Sequence, residues 1–318
     1  AVPVQRVAWE SGMGVTGGSE DTARLGVGSG GALRPELAYR VDVSGNSSGG
    51  WVDRGRNNDA TFSGALLWQP RTDLQLTLTH AQGYQQPMRY FGTPLVDGRQ
   101  LDALRHRNYN VADSEIRFRD RWTQLDALWT PTANVEWRTR VYQIDSQRDW
   151  RNAEAYVYNA ATGLIDRSDN TQITHNQDQT GLTSTLRVQG QVGGLANSFA
   201  VGLDANRAHF KHTNNTYAGS SGPVDPFHPV PGQFASDAPN LPRYRNGAEQ
   251  YALFAEDHLT LSERWSVLAG LRHARAPIDR TALISGAAAS SQPYSSTGWR
   301  AGTVFAPRPP SLLCAQSL

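Results

Sequence analysis

Apolar and polar residues alternate along most of this chain. Leu37, Tyr39, Val41 and Val43 share one face of an extended segment, with Ala38, Arg40, Asp42 and Ser44 on the other. Phe62, Gly64, Leu66 and Trp68 stand opposite Thr61, Ser63, Ala65 and Leu67, and Leu74, Leu76 and Leu78 opposite Gln75, Thr77 and Thr79. The pattern returns at Val135, Trp137, Thr139 and Val141, and again at Leu182, Leu186 and Val188. Period two with one apolar face is the signature of a half-buried strand, and no helical period competes with it. It predicts about eleven antiparallel strands, near 22–28, 36–45, 59–69, 73–82, 114–129, 133–146, 178–190, 197–210, 248–260, 264–276 and 296–306.

The connections carry as much information as the strands. Tight turns are predicted at Pro70–Asp73, Thr130–Ala133, Val192–Ala196 and Ser262–Arg264, separated by long polar stretches at 83–113, 147–177, 211–247 and 277–295. Strand, short turn, strand, long loop is the order that an outer-membrane barrel needs, with short periplasmic turns and longer extracellular loops. Trp68 and Trp129 come just before two short turns, Phe199 and Trp265 just after two others, and Phe305 precedes a proline cluster. Such rings suit a membrane interface, where an amphipathic side chain is half dry and half wet; capping the end of a soluble core is the rival reading. Arg40, Asp42, Asp126, Glu136, Arg138, Arg140, Arg187 and Asp204 lie mid-strand on the polar faces. Packed inside a narrow barrel they would be costly, so they point to a wide barrel with a wet lumen or an inserted domain.

Composition narrows the choice. The 318 residues carry a formal net charge of +1, which offers no field for nucleic acid. No stretch approaches the roughly 20 apolar residues of a membrane-spanning helix, a test that a barrel escapes because it shows lipid only every second residue. Cys314 is the single cysteine, which excludes an internal disulfide and a cysteine-based zinc site. The start, Ala-Val-Pro-Val-Gln, has neither Met nor a signal pattern, so a mature form or a fragment is expected.

Candidate chemistry is sparse. His209 and His212 have a metal-like spacing without a third ligand nearby and are read as surface histidines. Gly26–Gly31 lacks the Lys-Ser/Thr pair of a phosphate loop. The acidic pairs Asp113/Glu115 and Glu256/Asp257 could imitate glycosidase carboxylates, but nothing singles one out. No catalytic residue, resident metal or cofactor is therefore assigned. The long loops hold the better candidates: Arg89 and Tyr90; Trp150, Arg151, Tyr156 and Tyr158; Arg243 and Tyr244. Aromatic rings beside arginines suit a flat, anionic, partly aromatic ligand, with packing of the loops against one another as the plainer alternative.

The stretch from Tyr251 to His273, with Leu259-Thr-Leu-Ser-Glu-Arg264 at its turn and Gly270-Leu-Arg272 after it, resembles the barrel of TonB-dependent siderophore receptors. Gly298-Trp-Arg-Ala-Gly-Thr-Val-Phe-Ala-Pro307 is similar to that family's following strand and turn, and Tyr39 to Gly83 to its early strands. The resemblance covers roughly 22–307. It implies about eleven strands of an all-β transmembrane barrel of about 22 strands, closed by a plug domain. It further implies an outer-membrane receptor, not an enzyme, that imports ferric siderophores. Its partners would be the siderophore, membrane lipid and, through an absent N-terminal region, the TonB complex. The expected organisation is an irregular segment 1–21, a barrel segment 22–307 and an aberrant tail 308–318. Because no plug precedes the barrel and the chain stops after the proline cluster, it is expected to be the middle of a longer receptor, ended by a frameshift and unable to transport alone. The alternatives are a porin, a cobalamin or sugar importer, and a secreted β-rich protein acting on carbohydrate.

Overall fold

A computed structural model describes residues 9–217, 221–236, 238–284 and 290–306. They form one antiparallel sheet of fourteen strands. The strands are β1 (Glu10–Gly18), β2 (Thr22–Arg34), β3 (Leu37–Ser48), β4 (Asn57–Arg71), β5 (Leu74–Gln86), β6 (Glu115–Thr132) and β7 (Val135–Asn159). They continue with β8 (Leu164–Val192), β9 (Leu195–Tyr217), β10 (Tyr244–Ser262), β11 (Trp265–Arg275), β12 (Ile278–Ala282), β13 (Ser290–Gln292) and β14 (Ser295–Phe305). Among the described residues the helical content is one 3-10 turn, Asp102–Leu104.

From β1 to β11 each strand pairs with the next, β11 then pairs with β14, and the order closes on neither edge: β1 lies at one end and β14 at the other. β12 continues β11, because Tyr251 faces Arg275 and Ala248 faces Ile278 at one common register. β13 likewise continues β14, opposite β12 as β14 is opposite β11. The break in the first of these falls at Pro277, which has no N–H for the ladder.

Five connections at one end are two residues long: Pro35–Glu36, Thr72–Asp73, Ala133–Asn134, Gly193–Gly194 and Glu263–Arg264. Gly193 and Gly194 have φ of 59° and 82°, the doubly left-handed backbone of the turn that matches strand twist. At the other end the longest connections run 87–114 and 218–243. The long connections expected near 83–113 and 211–247 are present, but the one expected at 147–177 is only four residues long.

Four boundaries differ from expectation, one of them at 277–295, expected as a loop, which holds β12 and β13. Segment 1–21 was expected to be irregular, but it holds β1, whose Met13 and Val15 face Val27 and Leu25. Glycines at 12, 14, 17 and 18 dilute its alternation to two apolar residues. Segment 147–177, expected as a loop, is the upper part of β7 and β8, joined by four residues. Polar and apolar residues are mixed on both faces of that hairpin, so backbone pairing forms it without a clear period-two signal. β9 similarly runs on to Tyr217, inside the stretch expected to loop from 211. The expected tail 308–318 lies outside the described residues.

The wall has almost no interior of its own. Leu104, Tyr109, Val111, Ala153, Ile165, Val224 and Phe234 are buried in the long loops or the upper β7–β8 hairpin, whereas the wall strands bury only Ala38, Ile116 and Ala252 among their described apolar residues. A single-layer sheet leaves every wall side chain facing lipid or lumen, so a packed core forms only where loops fold over one another.

Candidate functional site

Ladder register fixes which side chains share a face. Val27 and Val43, Phe62 and Val43, Leu66 and Leu78, Leu78 and Leu125, and Leu125 and Val141 are directly opposed. The row continues through Val141 and Leu182, Leu186 and Val201, Leu203 and Leu253, Ala255 and Leu271, and Leu271 and Trp299. This outward face is apolar and solvent-exposed, with Leu253 at 66% and Trp299 at 79%. Trp68, Trp129, Phe199, Trp265 and Phe305 all fall on it, beside the two-residue turns. Trp129 lies 6.1 Å from Trp137 and Trp265 lies 6.4 Å from Phe305, each pair at one level of the wall.

The opposite face is charged and internally paired. Arg40 meets Asp42 at 2.5 Å, Arg140 meets Asp126 at 2.7 Å, Arg138 meets Glu136 at 2.8 Å and Arg272 meets Asp204 at 2.7 Å; Arg300 pairs with Glu256. Two glycines make room for rings on this side: Tyr142 lies over Gly181, and Phe254 over Gly202, each from the strand directly opposite.

Above these ion pairs, the same inward face carries a belt of rings and cations. Arg148 lies 4.8 Å over the Phe118 ring and donates to Asp120 at 2.8 Å. Trp150 stacks on Phe118 at 6.4 Å and meets Phe91 edge-on at 5.4 Å. His175 then meets Phe210 at 5.1 Å, Phe210 stacks with His212 at 5.1 Å, and His212 with Tyr244 at 5.3 Å. Arg280 closes the series 3.8 Å above Tyr244. Burial lowers the pKa of His175, with the charges of His212 and Arg148 adding to it; burial and Arg280 do the same to His212. Both imidazoles are therefore neutral near pH 7, so the cations of the belt are arginines. Such a surface can stack a planar ring and hold negative charge beside it.

The loops form a cap over this end. The buried Arg167 guanidinium donates to the carbonyls of Gly222 at 2.8 Å, Pro231 at 2.6 Å and Tyr109 at 3.2 Å, and to that of Ser221. Arg54 donates to the carbonyls of Asn108 and Asn110, both at 2.8 Å, and Asn110 donates to Asn152 at 2.8 Å. Buried Tyr109 donates to the Pro226 carbonyl at 2.7 Å, and desolvation pushes its phenol up to about 12. Carbonyl acceptors from separate loops thus converge on arginines, which fixes the loops to one another.

Residues 89–316 match the family described as TonB dependent receptor-like, beta-barrel. The chain belongs to this family. No curated protein matches it. Among solved structures, it is similar to the siderophore receptor PiuA of Acinetobacter baumannii, at 16% identity and a TM-score of 0.78, over 95% of this chain and 48% of that one. It is similar to the ferric-catecholate import receptor Fiu of E. coli K12 in its open form, at 13% identity and a TM-score of 0.80, over 94% and 52%. The ferripyoverdine receptor of Pseudomonas aeruginosa gives 13% identity and a TM-score of 0.77, over 94% and 40%. The chain therefore spans about half the length of these structures. It is an all-β receptor-barrel segment, and its family consists of transport receptors rather than enzymes.

Within the receptor barrel, the eight loop candidates separate. Trp150 and Tyr244 join the inward belt. Tyr156 and Tyr158 pack against the Tyr109–Ile165–Val224 core of the cap. Tyr90 sets its ring edge-on to Trp51 at 5.0 Å. Arg89 donates to the Ser114 carbonyl, Arg151 pairs with Asp113 at 3.2 Å, and Arg243 donates to Asn215 at 3.1 Å. His209 and His212 project to opposite faces, as a three-residue spacing on a strand requires, and so cannot share a metal ion. Sequence reasoning singled out none of Phe118, His175, Phe210 and Arg280. His175 and Arg280 sit in stretches expected as loops, Phe118 and Phe210 on expected strands, and only register aligns them.

Proposed function

We propose that this chain forms the wall and outer loops of an outer-membrane receptor that takes up ferric siderophores, with energy reaching it from the TonB complex through a region other than the barrel. The single observation that carries this reading is the inward belt of Phe118, Arg148, Trp150, His175, Phe210, His212, Tyr244 and Arg280 at the long-loop end. A ferric siderophore is flat in parts and commonly anionic, which rings and guanidiniums suit together. Trp150 and Tyr244 are proposed as direct ligand contacts, with Arg89, Tyr90, Arg151, Tyr156, Tyr158 and Arg243 as the surrounding loop contacts. Trp68, Trp129, Phe199, Trp265 and Phe305 are proposed as the aromatic girdle at the periplasmic interface. The exposed apolar outward face argues against a soluble carbohydrate-binding protein.

The test is ferric-siderophore binding by the receptor in detergent, read from quenching of tryptophan fluorescence. Trp150→Ala and Tyr244→Ala are each expected to weaken binding about tenfold, the worth of one good aromatic contact. Unchanged affinity in both variants sinks this assignment of the site.

A further inference from the structure

The inward belt is rich in rings but carries little net charge. Ladder register extends its upper row from Phe118 through Gln85, Asp59 and Asn46 to Arg24. In the row beneath, the charged residues are Asp120 and Arg280. With both imidazoles neutral, the two rows hold three cations, Arg24, Arg148 and Arg280, against two anions, Asp59 and Asp120. Asp120 is set into the belt itself: its carboxylate accepts from the Arg148 guanidinium at 2.8 Å and from the Ser146 hydroxyl at 2.6 Å. Arg148 is also the cation over the Phe118 ring, so the positive charge beside that ring is already neutralised by a neighbour. The Trp150 indole donates to Glu154, which adds no cation on that side. The loops and hairpin tip above, at 49–56, 87–114, 151–171 and 218–243, carry nine basic and nine acidic residues and so bring no surplus.

A ligand that enters such a site leaves water, and any charge it keeps must be met by opposite charge there. Iron(III) held by three catecholates keeps three surplus negative charges, because each catecholate brings two. Held by three hydroxamates it keeps none, because each brings one. A belt with one surplus cation leaves the first complex uncompensated, whereas its rings suit the uncharged surface of the second.

We propose that the belt selects ferric complexes of the uncharged trihydroxamate class, and that Asp120 is the residue that sets this specificity by neutralising Arg148. The proposal rests on the siderophore-binding reading given under Proposed function. Asp120 acts through charge rather than shape. Its carboxylate repels an anionic complex and cancels the attraction of the guanidinium that it holds, while an uncharged complex is indifferent to both.

The experiment measures binding of two probes to the receptor in detergent: a ferric trihydroxamate and a ferric tris-catecholate built on one tripodal backbone. Wild-type receptor is expected to prefer the trihydroxamate by about tenfold or more. Asp120→Asn keeps an acceptor for Arg148 and Ser146 but removes the negative charge. It is expected to move the ratio of the two affinities about tenfold toward the tris-catecholate. Arg148→Gln is expected to move the ratio the other way. Ser146→Ala, which removes a hydrogen bond and no charge, is expected to keep the wild-type ratio. Each ratio compares two ligands on one protein, so partial loss of folded receptor does not shift it. Equal affinities in wild type, or tighter binding of the tris-catecholate, overturn the proposal and leave the siderophore site standing. So does an unchanged ratio in both charge variants, or a shift in Ser146→Ala equal to that in Asp120→Asn. Binding of neither complex defeats the reading of the site as well.

Discussion

Arg167 concentrates the polar energetics of the cap in one side chain. Its guanidinium is 2% exposed and gives its N–H groups to backbone carbonyls on three loop segments. Arg167→Leu keeps much of the volume but leaves those carbonyls buried without donors, at about 1–3 kcal/mol each. Hydrogen exchange should accelerate in 104–111 and 221–234 while β3–β6 keep their protection; uniform acceleration would show that the cap and wall are one unit. His175 and His212 give the belt a pH dependence. Their folded pKa values lie below the unfolded value of about 6.5, so the folded belt binds fewer protons than the unfolded chain. Its stability is fully present above that pH and is lost as pH falls through the depressed values. Exchange in 172–176 and 210–213 should rise on acidification, and His175→Gln should flatten the response; a pH-independent wild type would refute it.

At the scale of elements, the sheet sets aromatic rings over glycines where a side chain would collide. A Cβ at Gly202 would lie 2.3 Å from the Phe254 ring and 2.7 Å from the Ser184 carbonyl oxygen. The ring could swing away but the carbonyl cannot, since it belongs to the β8 ladder. Gly202→Val should therefore destabilise the wall by about 1–3 kcal/mol, the usual cost of overpacking. A lower midpoint in thermal unfolding of the detergent-solubilised receptor would register it, and an unchanged midpoint would mean that the backbone yields there. The upper β7–β8 hairpin shows a second element-scale rule. It stands above the apolar band on backbone pairing and on its contacts with two loops, and not on an apolar stripe.

For the whole molecule, the decisive fact is that the described sheet has two free edges, β1 and β14. In hydrocarbon each unpaired backbone group costs several kcal/mol, so a wall of this kind is stable only when further strands close it. Refolded alone in detergent micelles, the chain should migrate identically on gels whether or not it is heated. A compact species that shifts on heating would contradict this. The same openness explains why the inward ion pairs are exposed in isolation: they line an interior that these strands bound on one side only.

The sequence by itself determined the strand period, the sidedness of the wall and the short turns, because each is written in neighbouring residues. The apolar residues at 37–43, 62–68 and 182–188 have one arrangement that satisfies both lipid and backbone, and the sheet adopts it. Tertiary structure alone decided three things. Glycine-rich β1 became a strand through pairing with β2, since its own residues carry little pattern. The polar stretch 147–177 became a hairpin because ladder hydrogen bonds need no hydrophobic period. The belt from Phe118 to Arg280 draws on β6 to β10 and β12, and ladder register, a property of pairs of strands, is what brings residues so far apart in sequence to one level of one face.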